Sequence, residues 1–480
     1  MQEKQKPASV VVISNRGPFV LGSDRHDLTP AAGGLVSALE PVISSTGGTW
    51  VAWGGRVGSP GSTGLSLAVP PDKPRYHFRE VMLTRVEFQE YYLGFANSAL
   101  WPLCHCFIER CLFDPSHWQT YTAVNRRFAE TAAAIAKPDS FIWVHDYHLA
   151  LVPAFLRRRK PGQRIALFWH IPFPPYDVFR TLPWGKQIIT GMLGSDTLGF
   201  HTAGYARNFL ECVREFIRVP VNVNKGLIRY EGRQIVVRSM PIGIDWQEFD
   251  SLARESEVQE KARAIRRAVG AEYILLGVDR LDYTKGIPER IQAIEILLQQ
   301  YPPLREQLAL IQIAVPTRSE VEAYSELRTQ VEQEVGRING LYSKNYHVPI
   351  HYRYASVSRR ELVAHFLAAD VVLVTALRDG LNLVAKEFAA SRIDRRGALL
   401  LSSFTGAAVQ LTGALTVNPY DPADIAAKIK EALDMSPEEQ ERRMRDLRQV
   451  VQYYDRNWWW QQVMETVYPA GVNKTHAFVN

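Results

Sequence analysis

The sequence predicts an α/β protein made of two doubly wound, Rossmann-like halves. Three observations carry that expectation. Short, continuous apolar runs alternate with helix-length amphipathic stretches along the whole chain, the signature of parallel strands covered on both faces. The pattern restarts near Pro241. At 480 residues, the chain also exceeds what a single hydrophobic core ordinarily supports.

In the first half, residues 9–14, 141–146, 164–170 and 196–201 read as strands, with helices over 149–159 and 203–218. In the second half the strands are 273–279, 308–315, 370–376 and 397–403, separated by helices over 287–300, 320–337 and 359–369. The segment Met-Pro-Ile-Gly-Ile-Asp from Met240 reads as a crossing between domains, and the stretch from there to Leu252 as a linker. This sets a first domain at residues 1–243 and a second at 244–452. A last helical segment, residues 453–480, completes the first. It contains Trp458, Trp459 and Trp460, which cannot share one helix face and need at least two surfaces to cover them. Two such sheets imply a ligand cleft at the carboxyl ends of their strands. Disorder is expected only in residues 1–8 and after Pro469.

The net charge of +6 is modest, and the basic residues are dispersed rather than striped. The densest cluster, Arg157 to Lys160, sits where a helix should end before Pro161 and reads as a solvated helix terminus. This balance suits small anionic substrates and argues against a nucleic-acid partner. No window approaches the ~20 apolar residues of a membrane span, and the polar N-terminus does not resemble a signal peptide. Four cysteines make no disulfide framework, and Cys104, Cys106 and Cys111 around His105 match no zinc spacing. A cytoplasmic protein without a membrane partner is therefore expected, and a homo-oligomer is compatible with the sequence.

Five segments carry candidate chemistry. Val278–Gly286 places Arg280 and Lys285 at the carboxyl end of a strand, where two cations can hold a diphosphate and neutralise charge on a leaving nucleotide. The alternative is a surface salt bridge from Arg280 to Asp279 or Asp282. Leu377–Glu387 follows another strand with a Gly380 turn and opens a helix at Asn382 or Leu383. Its first amides suit a phosphate, Glu387 a ribose diol and Asp379 a sugar hydroxyl, against a plain turn and a solvated Glu387. Paired Gly33 and Gly34 let backbone approach a ligand closely but lack the dinucleotide fingerprint. His145–His148 and His170–Pro174 end adjacent strands, so Asp146 and His170 should face one cleft. His145, His148 and His170 lack the ligands that would complete a metal shell, and bonding to sugar hydroxyls is the better reading. Arg16 and Arg318 also follow strands, with no neighbouring acid as an obligatory partner. Tyr92 and Trp101 either stack on a sugar or fill the core.

Together these segments resemble the trehalose-6-phosphate synthase family of retaining glycosyltransferases. The resemblance runs through Ser14–Arg16, Ala32–Leu35, Trp50–Trp53, Glu90–Tyr92, Trp101–Pro102, His145–Leu149, His170–Pro174, the crossing at Met240, Arg280–Gly286, Pro316–Arg318, Gly336–Gly340, Leu377–Glu387 and Asn418–Asp421. It implies two Rossmann-like domains facing a cleft (the glycosyltransferase-B architecture), with a C-terminal helix returning to the first. The resemblance assigns Arg280 and Lys285 to the diphosphate of the sugar donor. It gives Asn382, Leu383, Val384, Ala385, Lys386 and Glu387 to the nucleotide, and places Gly33 and Gly34 against the donor. Arg16, Tyr92, Trp101, Asp146 and Arg318 fall to the acceptor sugar phosphate, and His170 and Asp379 stand beside the transferred glucose. It further implies glucosyl transfer from a nucleotide-glucose, UDP-glucose first, to glucose 6-phosphate without a metal or other cofactor. Glycerol 3-phosphate or another phosphorylated acceptor is the alternative, and a catalytically silent regulatory subunit the least favoured role. The family's contacts to the base are largely main chain, so uracil, guanine and adenine remain open.

Overall fold

The computed structural model describes residues 9–21, 28–30, 34–318 and 320–469. Through Ile242, and again from Arg456, the described chain belongs to one compact unit, while Gly243–Asp455 forms the other.

The first unit is organised around a ten-stranded sheet. Its parallel centre runs, side by side, Arg233–Ser239, Thr197–Phe200, Arg164–Phe168, Phe141–His145, Val10–Arg16, Gly48–Trp53 and Tyr76–Glu80. Antiparallel strands Leu227–Tyr230 and Ser66–Val69 flank this centre. The four sequence-predicted strands all lie in the centre and are almost wholly buried, so their apolar runs do not alternate. Gly48–Trp53 had stood out only as a motif, and it forms a further parallel strand beside Val10–Arg16. The chain order reverses at Val10–Arg16, which lies between Phe141–His145 and Gly48–Trp53. Arg16 and Asp146 therefore stand at a switch point, where ligands of such sheets bind.

The helix expected from residue 149 begins later, at Val152, after a short 3₁₀ turn over Tyr147–Leu149. The cause is local: Asp146 is left-handed (φ 74°), and Pro153 fits only the first turn of a helix. Phe88–Leu100 winds as a π-helix, an uncommon form that periodicity does not reveal. Two side chains serve carbonyls five residues back, Asn97 Nδ2 donating to Tyr92 O at 2.6 Å and Ser98 Oγ to Leu93 O at 2.8 Å.

The helix Arg456–Val467 belongs to this first unit. Trp459 is fully buried there, its ring 5.0 Å from that of Trp143 and 5.3 Å from that of Phe168. Trp460 also meets Trp143, at 5.3 Å, while Trp458 stays partly exposed.

The second unit has a six-stranded, wholly parallel sheet ordered Ile350–Tyr354, Leu308–Val315, Tyr273–Arg280, Val371–Val374, Ala398–Ser402 and Leu415–Val417. The order reverses at Tyr273–Arg280, so the loops after that strand and after Val371–Val374 share a switch point. The stretch taken as a linker up to Leu252 is largely helical, Trp246–Arg254, capped by Asp245 accepting from Glu248 N at 3.2 Å and anchored by buried Phe249. The preceding Pro-Ile-Gly obscured that cap in the sequence.

Candidate active site

In the second unit the loops after Tyr273–Arg280 and Val371–Val374 are bonded together. Thr284 O accepts from Leu377 N at 2.8 Å, and Gly406 N donates to Asp379 O at 3.2 Å. Gly286, at the C-cap of the turn Tyr283–Lys285, is left-handed (φ 63°), and an added Cβ would lie 2.1 Å from Thr375 O. Only glycine fits both demands.

These loops unite three residues singled out in the sequence. Lys285 Nζ donates to Asp379 Oδ2 at 2.6 Å, and Asn382 Nδ2 donates to the same oxygen at 3.1 Å. The Lys285 and Asp379 side chains retain only 9% and 16% exposure. Arg280 ends its strand just before this cluster. Asn382 then caps the helix Leu383–Ser391, accepting from Ala385 N at 3.1 Å, and its own backbone is left-handed (φ 79°). Strained backbone of this kind collects at functional sites. With Ala385 N taken by that cap, the first-turn amides of Leu383 and Val384 suit an anion. Along this helix Lys386 is buried, which pushes its ammonium down to about 7. Glu387 is half-buried; burial is the main cause raising its carboxyl to about 7, with Arg359 opposing and Glu248 adding to the rise.

Asp279 and Asp282 are buried rather than at the surface, and each is bonded to another arginine, while Arg280 also acts on Asp282 through its charge. Asp279 receives Arg290 Nη1 at 2.7 Å, and both side chains are essentially buried. Arg290 also donates to Gln312 Oε1 at 2.8 Å and to Thr375 Oγ1 at 3.0 Å, and Thr375 Oγ1 in turn reaches Gly286 O at 3.2 Å. One buried guanidinium thus ties together both strand ends that carry the site. Asp282 pairs with Arg318, Nη1 to Oδ2 3.2 Å, so Arg318 does have an acid partner, 36 residues away in sequence.

In the first unit Arg16 lies against two rings, 5.5 Å from the centroid of Trp53 and 5.4 Å from that of Tyr92. Its Nη2 donates to the Tyr92 hydroxyl at 3.4 Å. Tyr92 stacks on His148 at 5.8 Å, and His148 lies 3.9 Å from Tyr147, ring to ring. Trp101 is reached one ring further in, 5.9 Å from Tyr147 and only 5% exposed, so core packing explains much of its burial. Asp146 Oδ1 accepts from His170 N at 3.1 Å, and this brings the two adjacent strand ends together.

His145 Nδ1 and His170 Nε2 share a hydrogen bond of 3.0 Å. Burial holds His145 down to about 3 and drives His170 well below its ordinary value, with His201 and His145 adding to the effect. Both rings are neutral at physiological pH, so one donates and the other accepts. Among the described residues, no group of three or more His, Cys, Asp or Glu is placed to hold a metal ion. The four cysteines are free thiols. Arg157 is tied to Asp196 at 2.8 Å and to the carbonyls of Pro161, Gln163 and Gly194, so part of the basic cluster is structural. No helix among the described residues is long and apolar enough to cross a membrane. Gly33 lies outside the described residues, and Gly34 begins the helix Gly34–Thr46.

Sequence reasoning missed the Arg290 network, the Asp282–Arg318–Tyr324 cluster and the direct pairing of His145 with His170. The left-handed residues Asp146, Arg318 and Asn382 were a usable signal only once backbone angles were known.

The chain is similar to known proteins along nearly its whole length. The family model of glycosyltransferase family 20 matches residues 8–468. The trehalose-6-phosphate synthase of Mycobacterium avium is 42% identical over 474 residues, covering 96% of this chain and 95% of that one. An α,α-trehalose-phosphate synthase (UDP-forming) from Burkholderia xenovorans, solved in complex with glucose-6-phosphate, superposes with a TM-score of 0.88 at 34% identity, covering 96% and 99% of the two chains. An E. coli structure described as bound with UDP-2-fluoro glucose gives 0.89 at 34% identity, with 96% and 99% covered. By its family match and its relatives, this chain is a member of glycosyltransferase family 20.

Proposed function

We propose that this enzyme transfers a glucosyl group from a nucleotide-glucose, UDP-glucose first, to glucose 6-phosphate with retention of configuration, giving α,α-trehalose 6-phosphate and the nucleoside diphosphate. The observation that carries the reading is the switch point of the second unit, where Asp379, itself bonded by Asn382, holds Lys285 in the turn that follows Arg280. A preorganised cation pair of this kind stabilises the charge that develops on a leaving diphosphate. The names of the similar proteins and the molecules bound in the similar structures support the same donor and acceptor classes.

In this reading Arg280 and Lys285 hold the diphosphate, and the amides from Asn382 to Lys386 with the Glu387 carboxylate hold the nucleoside. Gly33 and Gly34 lie against the donor. Arg16, Tyr92, Trp101, Asp146 and Arg318 receive the sugar phosphate, and neutral His170 and Asp379 bind hydroxyls of the transferred glucose. The anomeric C–O bond to phosphate breaks as the acceptor hydroxyl bonds to the same face. The acceptor's proton passes to the departing phosphate oxygen, so neither a protein nucleophile nor a metal takes part. Positioning of the two substrates then supplies much of the rate. The reading places the enzyme in the cytoplasm, in line with its free thiols.

Steady-state assays with UDP-, GDP- and ADP-glucose against glucose 6-phosphate and glycerol 3-phosphate test it. Turnover of glucose 6-phosphate with UDP-glucose preferred is expected. Turnover with glycerol 3-phosphate alone, or with no pair at all, would overturn the assignment.

A further inference from the structure

Four hydrogen-bond donors converge on one buried carboxylate in the second unit. Thr284 serves Asp282 Oδ1 through its backbone N–H at 3.0 Å and its hydroxyl at 2.8 Å. Arg318 Nη1 and the Tyr324 hydroxyl each reach Oδ2 at 3.2 Å. The Asp282 side chain is fully buried and that of Arg318 is 4% exposed.

The two oxygens serve different structures. On the Oδ1 side, Asp282 caps the turn Tyr283–Lys285, and so sets where Lys285 begins its reach to Asp379. On the Oδ2 side, it holds Arg318 in a left-handed backbone (φ 45°), which persists only where the surroundings over-determine it. Tyr324 completes that hold by also accepting from Arg318, and its ring rests 5.5 Å from that of Tyr283.

We propose that Asp282 is a positioning residue shared by both anion sites, with Oδ1 placing Lys285 for the nucleotide diphosphate and Oδ2 placing Arg318 for the sugar phosphate. The proposal rests on the ligand roles assigned above. Only a carboxylate meets the geometry. An amide would turn its NH₂ towards either the Thr284 N–H or the Arg318 guanidinium, and neither can become an acceptor. Burial alone would raise this carboxyl, but Arg318, Arg280 and Lys285 outweigh it and bring it down to about 2, so it stays charged.

The test is a set of variants, each read by KM for UDP-glucose, KM for glucose 6-phosphate, kcat and thermal melting. Thr284→Val removes a hydrogen bond on the Oδ1 side only, and about a fivefold rise in the UDP-glucose KM alone is expected. Tyr324→Phe removes the bond to Oδ2 and the one accepted from Arg318, both on that side, and a rise of about fivefold or somewhat more is expected in the glucose 6-phosphate KM alone. Both near-isosteric changes should keep kcat within about twofold and leave melting cooperative, because single hydrogen bonds are modest. Asp282→Ala should raise both constants by more than about tenfold, since it strands a buried cation. A structural role alone would lower the melting temperature without separating the two constants, and that result would overturn the proposal. So would equal rises in either single-sided variant. Lys285→Ala and Arg318→Ala are measured alongside. If they do not impair UDP-glucose and glucose 6-phosphate respectively, the functional reading falls and takes the inference with it. If they do, but the single-sided variants do not separate the ligands, the inference alone falls.

Discussion

Glu387 shows how a single residue can bring pH dependence to this enzyme. Burial is the main reason its carboxyl stands near 7 rather than at the ordinary 4.5. The folded state therefore binds that proton more tightly than the unfolded chain does. Stability from this group is greatest below 4.5 and falls as pH rises towards about 7. A ribose diol bonds better to the charged form, so the UDP-glucose KM should rise as pH drops below 7. Lys386, brought down to about 7 by burial, changes charge in the same window, so a comparison of variants is needed. Glu387→Gln should flatten the profile of KM against pH between about pH 6 and 8; a variant with the wild-type slope would remove Glu387 from the ribose site. Lys285, Asp379 and Asn382 were legible in the sequence because each closely follows a recognisable strand. Asp282 and Arg318 were not legible as a pair, because their contact spans 36 residues and depends on how two loops come together.

At the scale of elements, the decisive feature of the second unit is the pair of loops at its switch point. The turn ending at Gly286 and the backbone at Thr375 touch so closely that Gly286→Ala forces both a left-handed alanine and a contact of 2.1 Å. A loss of more than about 2 kcal/mol is expected in urea unfolding of the second unit. Gly336 gives the contrast. It lies in the helix Glu322–Tyr342 with nothing within 4 Å of an added Cβ, so Gly336→Ala should stabilise by up to about 1 kcal/mol. If the two variants behaved alike, the close approach at Gly286 would not matter. Strands and helices of the parallel sheets could be read from continuous apolar runs and amphipathic spacing. The π-helix Phe88–Leu100 and the strand Gly48–Trp53 could not, since the first is set by backbone bonds five residues apart and the second opens on Gly48 and Thr49, leaving an apolar run of only Trp50–Trp53.

Across the whole molecule, the chain leaves its first unit at Ile242 and re-enters it at Arg456. That late helix is held chiefly by Trp459, buried among Trp143, His145, Phe168 and His170. Trp459→Ala should destabilise the first unit by about 3–5 kcal/mol. Hydrogen exchange resolved by unit would show it as lost protection around Phe141–His145 and Arg164–Phe168; equal loss in both units would argue against that placement.

By itself the sequence determined the two α/β halves, the strand ends that carry function, and the basic and acidic residues placed on them. Those properties follow from apolar patterning and from residues that lie near one another in the chain. Only the tertiary structure decided the partners: Asp279 with Arg290, Asp282 with Arg318, and His145 with His170. A buried charge or polar group must find its partner wherever the fold brings one, and sequence distance does not limit that choice.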